Sequence, residues 1–408
     1  MLHHEAHTRI IIINNNNSNM AVKLSVVIVS YRVRHYLEQC IMSVERATEN
    51  ISRDIVVVDN HSDDGTVEYL RERFDDRITL VESNHNLGFS KANNIAIRQT
   101  DSEYVLLLNP DTFVSEDSLH EVLRFMDGHP RCGGCGVKMH NADGSVARES
   151  RRGIPTPWVS LLKMLGFSDR YYMSHLPWDQ PAQIEAMSGA FCMLRREALD
   201  KVGLLDEDFF MYGEDIDLSY RLLKGGYENW YVPADIVHYK GESTQKSSFR
   251  YVHVFYQAML IFFRKHYGHA SWLITLPIKA GIYLRALLAL FQMLSWNVRL
   301  SLGFVDKDSA QPDYVFIGSE AMLDECRQLV RRKGLTATFL PAPPPGQRPA
   351  IETGSPETAG RGNRCIVYDT GTFSYGQIIG MAAEHTPSRI GTYSPKTNIL
   401  ITPSEIIL

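Results

Sequence analysis

The most constraining feature of this sequence is a series of short, continuous apolar runs separated by helix-like segments. Leu24–Tyr31 and Asp54–Asn60 predict strands that are buried on both faces, because β-branched residues follow one another without polar alternation. Ile78–Ser83 and Tyr104–Asp111 continue the series. Strand–helix alternation at this spacing predicts an α/β fold, in which helices cover a mostly parallel sheet.

Polar side chains follow several of these predicted strands. Asp59 ends the second strand, and Asn109 and Asp111 end the fourth. Ligands of open α/β sheets bind at the carboxyl ends of the strands. Their position, more than their residue type, therefore makes these three residues candidates for a binding site.

Composition excludes several classes of protein. Of the 408 residues, 44% are hydrophobic and 22% are charged, and the formal net charge is -5. These values argue against a disordered chain, a polytopic membrane protein and the broad positive field of a nucleic-acid binder. The six cysteines are sparse, and Cys132 and Cys135 form a CxxC pair without a second pair to complete a zinc site. Buried thiols in a reducing compartment are the favoured interpretation over a metal or redox role.

The first residues require a separate interpretation. They contain histidines, an apolar run of only four isoleucines and a run of asparagines, and the apolar run is too short for a signal peptide. We expect a disordered tail, with translation starting at either Met1 or Met20. The whole chain is thus predicted to contain a tail at 1–22, a catalytic domain at 23–248, a helical segment at 249–305 and a small α/β module of unknown role at 306–408.

The segment 249–305 is rich in aromatic and aliphatic residues and is interrupted by basic ones. Its longest uncharged stretches, His266–Ile278 and Ala286–Val298, have 13 residues each. A spanning helix needs about 20 apolar residues, so amphipathic helices in a membrane interface fit better. The alternative is a helical hairpin buried against the catalytic domain.

The C-terminal hundred residues predict a compact α/β module with strands at Asp313–Gly318 and Cys365–Asp369. A segment at 341–363, rich in Pro, Gly, Ser and Thr, predicts a flexible loop or linker. Asp369–Ser374 lies between a strand and a helix, where backbone N–H groups can hold a phosphate. A plain turn is the favoured interpretation of that segment.

Three separate carboxylate segments are candidates for the chemistry. Asp59 can accept an N–H of a nucleobase or cap a helix. Asp111, in the oxygen-rich turn that begins at Asn109, suits a divalent cation that neutralises a diphosphate, or belongs to an Asx turn. Glu214 and Asp215 begin a predicted helix, where the helix dipole favours ionised carboxylates. We assign the general base to Asp215 and the positioning of the acceptor to Glu214, with N-capping as the alternative.

His238 follows a further predicted strand. It is a candidate metal ligand or contact to a leaving phosphate, and a structural histidine is an equal alternative.

Seven segments in this order resemble family 2 glycosyltransferases of the GT-A fold, which has a Rossmann-like, mostly parallel sheet. The resemblance covers roughly Lys23 to Thr244 and is closest to the rhamnosyltransferase-like enzymes of bacterial polysaccharide and O-antigen assembly. The segments are VVIVSYR, VVVDNHSDDGT, NHNLGFSKANN, LLLNPDT, MSGAFCMLRREAL, FFMYGEDIDLSYRL and VHYKGEST.

The resemblance implies a role for each candidate residue. Asp111 would bind Mg²⁺ or Mn²⁺ close to His238, with Asn109 in place of the first aspartate of the usual DxD motif. Asp215 would be the base of an inverting displacement, with Glu214 beside it. The implied substrate-binding residues are Tyr31, Asp59, Asn60, Asn86, Gly88, Asn93, Asn109 and Gly189.

The expected reaction transfers a sugar, for which the subgroup implies rhamnose, to a hydroxyl of a lipid-linked glycan. The donor would be dTDP-rhamnose or a UDP- or GDP-sugar, and the enzyme would lie at the cytoplasmic face of the inner membrane without a nucleic-acid partner. Two other classes stay open: a nucleotidyltransferase and a non-catalytic nucleotide-sugar-binding scaffold. The former typically has a Gly-rich basic loop after its first strand, and SYRVRHY is not such a loop.

Overall fold

The computed structural model describes most of the catalytic and C-terminal regions. Most of the expected tail and linker, the last four residues of the VHYKGEST segment and the end of the helical segment lie outside the described residues. The described residues are 10–13, 22–240, 249–268, 272–301, 312–344, 347, 349, 364–403 and 405–407.

The catalytic region consists of one twisted sheet with helices packed on it. The strands are β1 (Ile10–Ile13), β2 (Leu24–Ser30), β3 (Arg53–Asp59), β4 (Thr79–Ser83), β5 (Tyr104–Leu108), β6 (Thr112–Val114), β7 (Cys132–Asn141), β8 (Ala182–Ile184), β9 (Phe191–Arg195) and β10 (Glu228–His238). The helices are α1 (Arg34–Ala47), α2 (Thr66–Phe74), α3 (Phe89–Ile97), α4 (Ser118–Gly128), α5 (Pro157–Met164), α6 (Arg196–Val202), α7 (Glu214–Lys224), α8 (Phe249–Tyr267) and α9 (Trp272–Ser301).

The strand order is β1-β4-β3-β2-β5-β9-β7-β10-β6, with β8 paired to β10. β4, β3, β2 and β5 are parallel, which confirms the predicted α/β sheet. β9 runs antiparallel to both β5 and β7, and β6 runs antiparallel to β10. The sheet is therefore mixed beyond β5, where the sequence pattern is less regular.

Burial on both faces explains the continuous apolar runs. In β2, Val26 and Ile28 belong to the core cluster on one face, whereas Val27 and Val29 belong to the cluster on the other. Successive side chains of a strand point to opposite faces, so a central strand with helices on both sides requires an apolar residue at every position.

β1 differs from the expected disordered tail. Ile10–Ile13 pairs antiparallel with Thr79–Ser83 of β4. The physical reason is that four consecutive isoleucines favour an extended strand, and β4 without them would present an unpaired edge of the sheet.

α8 corresponds to the alternative interpretation of the segment 249–305. Ala258 and Phe262 are buried together with Phe209 of the catalytic domain. Lys265 and His266 contact the carboxylate of Asp217, which is completely buried, at 2.9 and 2.7 Å. One face of α8 is therefore part of the catalytic domain.

α9 has a different environment, because a row of its large apolar side chains faces solvent. No helix within the described ranges is long and apolar enough to cross a membrane. Association of this segment with a membrane interface stays a prediction. The exposed side chains are Tyr283, Leu284, Leu287, Leu288, Phe291, Leu294 and Val298.

The C-terminal module contains a second sheet, with strand order β12-β11-β13-β14-β15-β16. β12, β11, β13 and β14 are parallel, and β15 and β16 add antiparallel edges. Its elements are β11 (Asp313–Gly318), α10 (Glu320–Lys333), β12 (Ala337–Pro341), β13 (Arg364–Asp369), α11 (Tyr375–Glu384), β14 (Arg389–Ser394), β15 (Ile399–Ile401) and β16 (Ile406–Ile407).

The first turn of α11 contacts the catalytic domain. The carboxylate of Glu116 accepts hydrogen bonds from the backbone N–H groups of Tyr375 and Gly376 at 2.8 and 3.0 Å. The side chain of Ser374 accepts a further N–H from Gln377. Within Asp369–Ser374, the segment that the sequence left open as a phosphate site, the N–H groups of Gly371 and Ser374 donate to the side chains of Asp369 and Gln377 at 2.8 and 2.9 Å.

Replacing Glu116 with alanine is expected to loosen this contact. Loss of a carboxylate from a helix N-terminus costs about 1 kcal/mol, so the free energy of unfolding measured in urea will fall by about that amount. Limited proteolysis will release the C-terminal module sooner. Glu72→Ala, at an exposed position in the last turn of α2, is the control. Equal protease resistance of Glu116→Ala and the wild type would contradict this role.

Candidate active site

The carboxyl ends of the central strands bring the predicted site residues to one edge of the sheet. Ser30 of β2 lies beside Asp59 of β3, and Ile28 lies beside Leu108 of β5. β9 begins at this edge, because it is antiparallel and Phe191 pairs with Leu108. Residues that follow β2, β3 and β5 and residues that precede β9 therefore share one edge, as the sequence predicted for Asp59, Asn109 and Asp111.

Asp111 and His238 form the candidate metal site. The pairing of β6 with β10 places Thr112 opposite His238, so the imidazole reaches back to Asp111. His238 Nε2 lies 3.2 Å from Asp111 Oδ1 and 3.3 Å from Asn109 Nδ2. The carboxylate is almost completely buried. The three residues that the sequence grouped around a metal are thus brought together.

This pair fits a divalent cation that is completed by phosphate. One carboxylate and one imidazole leave most coordination positions for phosphate oxygens and water, which is how Mg²⁺ and Mn²⁺ are held beside nucleotides. Among the described residues there is no group of three or more His, Cys, Asp or Glu side chains placed to hold a metal alone. A cation at Asp111 would therefore depend on its substrate for stable binding.

Gly189 connects this pair to the acidic helix. The N–H of Asn109 donates to the carbonyl of Ala190 at 3.0 Å, and the N–H of Gly189 donates to Asp215 Oδ2 at 2.9 Å. A Cβ at position 189 would lie 3.5 Å from the Cβ of Asp215, in ordinary contact. The candidate base and the candidate metal ligands are thus separated by one short segment of backbone.

Asp215 forms a buried ion pair with Arg152. Arg152 Nη2 lies 2.5 Å from Asp215 Oδ2, and both side chains are largely inaccessible to solvent. Burial alone would lower the pKa of Arg152, but the neighbouring carboxylate of Asp215 overcomes this effect and raises it. Arg152 is not among the residues that the sequence predicts for the site, because its contact with Asp215 spans 63 positions. The only signal is the pair of arginines in RESRRG, which lies in an irregular segment.

Glu214 has the opposite environment. Its side chain is buried at the start of α7, and its Oε2 atom has no hydrogen-bond partner among the described residues. Burial, and then the charge of Asp215, raises the pKa of this carboxyl from 4.5 to about 8. Glu214 therefore keeps its proton at neutral pH and can donate a hydrogen bond to an oxygen atom.

Comparison with known proteins agrees with this geometry. The profile of the family described as "Glycosyl transferase family 2" matches residues 25–203. Residues 25–203 form a family 2 glycosyltransferase domain. The match contains Asp59, Asn109, Asp111 and Gly189, whereas the acidic start of α7 and His238 follow it.

The curated relatives of this chain include rhamnosyltransferases. An N-acetylglucosaminyl-diphospho-decaprenol L-rhamnosyltransferase of Mycobacterium tuberculosis is 29% identical over 269 residues, which is 61% of this chain and 86% of the relative. The rhamnosyltransferase WbbL of Escherichia coli is 27% identical over 185 residues, 40% of this chain and 70% of the relative. The protein is a glycosyltransferase with similarity to rhamnosyltransferases.

Solved structures are more distant. A mannosyltransferase from Pyrobaculum calidifontis, in complex with GDP-Man and Mn²⁺, is 18% identical with a TM-score of 0.43, covering 78% of this chain and 82% of the other. Staphylococcus aureus TarS 1-349 in complex with UDP is 16% identical with a TM-score of 0.40, covering 61% of this chain and 73% of the other.

In the glycosyltransferase domain, a buried carboxylate oxygen without a hydrogen-bond partner among the described residues lies near the ends of β2 and β3. Asp59 Oδ2 accepts the N–H of Ser62 at 2.9 Å, whereas Oδ1 is buried and has no hydrogen-bond partner among the described residues. Burial raises the pKa of this carboxyl. Tyr31 is half-buried and directly follows Ser30, the residue that pairs with Asp59. An acceptor oxygen in this position suits the ring N–H of a nucleobase.

Asn60 and Asn86 hold the loop before α3. The side chain of Asn60 donates to Asn86 Oδ1 and to the carbonyl of Gly88, at 3.1 and 3.2 Å, and accepts the N–H of Leu87 at 2.7 Å. Asn86 Oδ1 also accepts the N–H of Gly88 at 3.0 Å. In this structure the two amides therefore shape the loop, and their contact with substrate stays a prediction.

Gly88 allows this loop to approach the segment before α7. Its φ of 78° and a Cβ position only 2.5 Å from the carbonyl oxygen of Phe210 both exclude a larger residue. The neighbouring N–H of Phe89 donates to that carbonyl at 2.6 Å. Asn93, one turn into α3, donates to the carbonyl of Phe89 and keeps its buried Oδ1 without a partner among the described residues.

Asp217 is structural. Its buried carboxylate accepts from Arg221, Lys265 and His266, and so joins α7 to α8. The segment Glu214–Asp217 thus contains acids of different functions: one ion-paired, one protonated and one that binds two helices together.

The raised pKa of Glu214 predicts a pH dependence of stability. The folded state binds this proton up to about pH 8, whereas the unfolded chain loses it near 4.5. Stability is therefore fully present below the lower value and is lost as pH rises towards the upper one, by at most about 1.4 kcal/mol per pH unit. The isosteric Glu214→Gln variant cannot ionise and will not show this loss. Urea unfolding of both proteins across this range measures the difference, and parallel curves would contradict the assignment.

Proposed function

We propose that this glycosyltransferase is an inverting enzyme that moves a sugar from a nucleoside diphosphate sugar to a hydroxyl of a lipid-linked glycan. The observation that carries the proposal is the connection between the Asp111–His238 pair and Asp215 through Gly189. It provides a site for the diphosphate and a carboxylate base on the same edge of the sheet. Rhamnose from dTDP-rhamnose is the proposed sugar, since two of the relatives are rhamnosyltransferases.

The donor is proposed to lie along the carboxyl edge of β2, β3 and β5. Its base would meet Asp59, whose free oxygen accepts a ring N–H, and its diphosphate would lie at Asp111 and His238. Mg²⁺ or Mn²⁺ bound there would neutralise charge on the departing diphosphate. Asp111 and His238 fix the place of that charge.

Asp215 is proposed to remove the proton from the acceptor hydroxyl. The ion pair with Arg152 stabilises its negative charge, and the hydrogen bond from Gly189 fixes the direction of Oδ2. Glu214 remains protonated and can hold the acceptor by donating a hydrogen bond. A protonated carboxyl group next to a carboxylate that is ion-paired with an arginine is what a positioning acid and a base require. Attack on the face opposite the diphosphate would invert the anomeric centre.

Asp215→Asn keeps the shape of the side chain and removes the base. We expect transfer of the sugar to fall by about 100-fold or more, whereas dTDP still raises the melting temperature in Mn²⁺ as it does for the wild type. Asp208→Asn, at an exposed position in the segment before α7, is the matched control. Full turnover by Asp215→Asn would exclude this residue as the base. Retained turnover with no dTDP stabilisation would exclude the proposed donor site.

Membrane contact is a second part of the proposal. The exposed apolar residues of α9 form one face, and α5 contacts α9 and exposes Trp158 and Leu161. The sequence from 249 to 301 contains no acidic residue and six Lys or Arg residues. An exposed apolar face in a basic segment suits the surface of a membrane with anionic lipids. All six cysteines are buried and free, in keeping with a reducing compartment and hence the cytoplasmic face.

Sedimentation with vesicles tests this contact. The wild type is expected to pellet with vesicles of phosphatidylglycerol and phosphatidylethanolamine and to stay in the supernatant with phosphatidylcholine alone. Leu287→Glu combined with Phe291→Glu will reduce the pelleted fraction, because it places two carboxylates on the exposed face of α9. Ala321→Glu combined with Gln328→Glu adds the same charge to exposed positions of α10 as the control. Equal pelleting of both double variants would remove α9 from the contact.

A further inference from the structure

A row of cationic side chains lies between Asp215 and α5, and the proposed donor site does not use it. We call Arg148, Arg152 and Lys163 the cationic strip. Lys163 Nζ lies 3.4 Å from the ring centroid of Tyr171 and 5.3 Å from that of Tyr172. Tyr171 interacts in turn with Arg152, the partner of Asp215. The strip therefore extends from the proposed base to the helix that carries Lys163.

The charge of this strip is incompletely balanced. Arg152 is paired with Asp215, and Arg148 with the exposed Asp169 at 3.3 Å. Lys163 has no ion pair with a carboxylate among the described residues, and the acid that influences it, Glu149, is itself paired with Lys240 at 2.5 Å. The side chain of Lys163 is exposed to solvent. An ammonium group that lies against two tyrosine rings, near a second cation and without an ion pair to a carboxylate among the described residues, is a site that an anion would stabilise.

Apolar surface begins immediately beside this ammonium group. Trp158 and Leu161 of α5 are 59% and 44% exposed, and Leu165 and Phe167 after the helix are 64% and 67% exposed. Large apolar side chains with this accessibility cluster on one short helix and its following turn. The order from the active site outwards is thus a carboxylate base, a cationic strip and an exposed apolar helix.

We propose that Lys163 and Arg148 bind the diphosphate of a lipid-linked acceptor, with its hydrocarbon chain on α5 and its sugar hydroxyl at Asp215. This inference rests on the proposed function and identifies the acceptor side of the same site. A sugar diphosphate lipid has its hydroxyl, anionic group and chain in the same order as the base, the strip and the apolar helix. Its chain would pass from α5 into the membrane that α9 contacts.

Binding of farnesyl diphosphate tests the inference without requiring turnover. The measurement is made by isothermal titration calorimetry on the full chain, with saturating dTDP and Mn²⁺ so that the donor site is filled. We expect farnesyl diphosphate to bind more tightly than either inorganic pyrophosphate or farnesol. Lys163→Gln will weaken its binding by about tenfold, equivalent to about 1.4 kcal/mol, whereas Lys163→Arg will keep most of the affinity because it retains the charge.

Two further variants separate the contributions. Leu161→Gln combined with Leu165→Gln will weaken farnesyl diphosphate but not pyrophosphate, because only the former has a chain. Lys201→Gln is the matched control. Lys201 of α6 is also an exposed lysine next to a tyrosine, because its Nζ lies 5.2 Å from the ring centroid of Tyr227. It should leave all affinities unchanged.

The possible outcomes either support or overturn the assignment. Equal affinity of wild type and Lys163→Gln for farnesyl diphosphate would remove the strip as its binding site. Equal affinity for pyrophosphate and farnesyl diphosphate would identify a site for free phosphate compounds instead. An enzyme that transfers sugar but shows either result retains the proposed function and loses this inference. A protein that binds farnesyl diphosphate as expected but transfers no sugar would keep the lipid diphosphate site and lose the proposed function.

Discussion

The carboxylate of Asp215 is the point at which three distant parts of the catalytic domain meet. It accepts from Arg152, which follows β7, from the N–H of Gly189, which precedes β9, and from the N–H of Ile216 in its own helix. A buried charge is tolerated only when it is paired and hydrogen-bonded, so these donors must assemble whenever α7 packs on the sheet. The same contacts that permit the charge also fix its direction. Folding of this region and the placement of the proposed base are therefore one event.

Adjacent residues at the start of α7 show how the fold separates two carboxyl groups chemically. Asp215 faces a guanidinium, whereas Glu214 is buried without a countercharge of its own and has a raised pKa. The helix alone would favour ionisation of both, because they lie in its first turn. Burial outweighs the dipole at Glu214, whereas the carboxylate of Asp215 has a guanidinium as its partner. Side chains at neighbouring positions of a helix point in different directions. Glu214 and Asp215 therefore have different surroundings although they are adjacent in the chain.

Local patterns predicted the parts of this protein that depend on local chemistry. The buried strands β2 to β5 follow from continuous apolar runs, and Asp59, Asn109 and Asp111 share an edge because parallel strands end together. Arg152 could not be found in this way, since its partner is remote in sequence and its own segment has no period. The packing of α8 was likewise left open, because the buried Asp217 that binds it resembles any other acid in a helix. The roles of such residues depend on their burial and on partners that are distant in the chain, and sequence spacing shows neither.

The C-terminal module adds support to the strand that follows the candidate metal ligand. Phe113 of β6 packs against Tyr239 and against Tyr375 of the module, with ring centroids 5.8 and 5.1 Å apart. Two residues beyond β6, Glu116 holds the first turn of α11. The short β6 has only three residues and pairs only with β10 among the described strands, so its own ladder gives it little rigidity. Contacts from the start of α11 to Phe113 in β6 and to Glu116 just after it therefore limit the movement of Asp111 relative to His238.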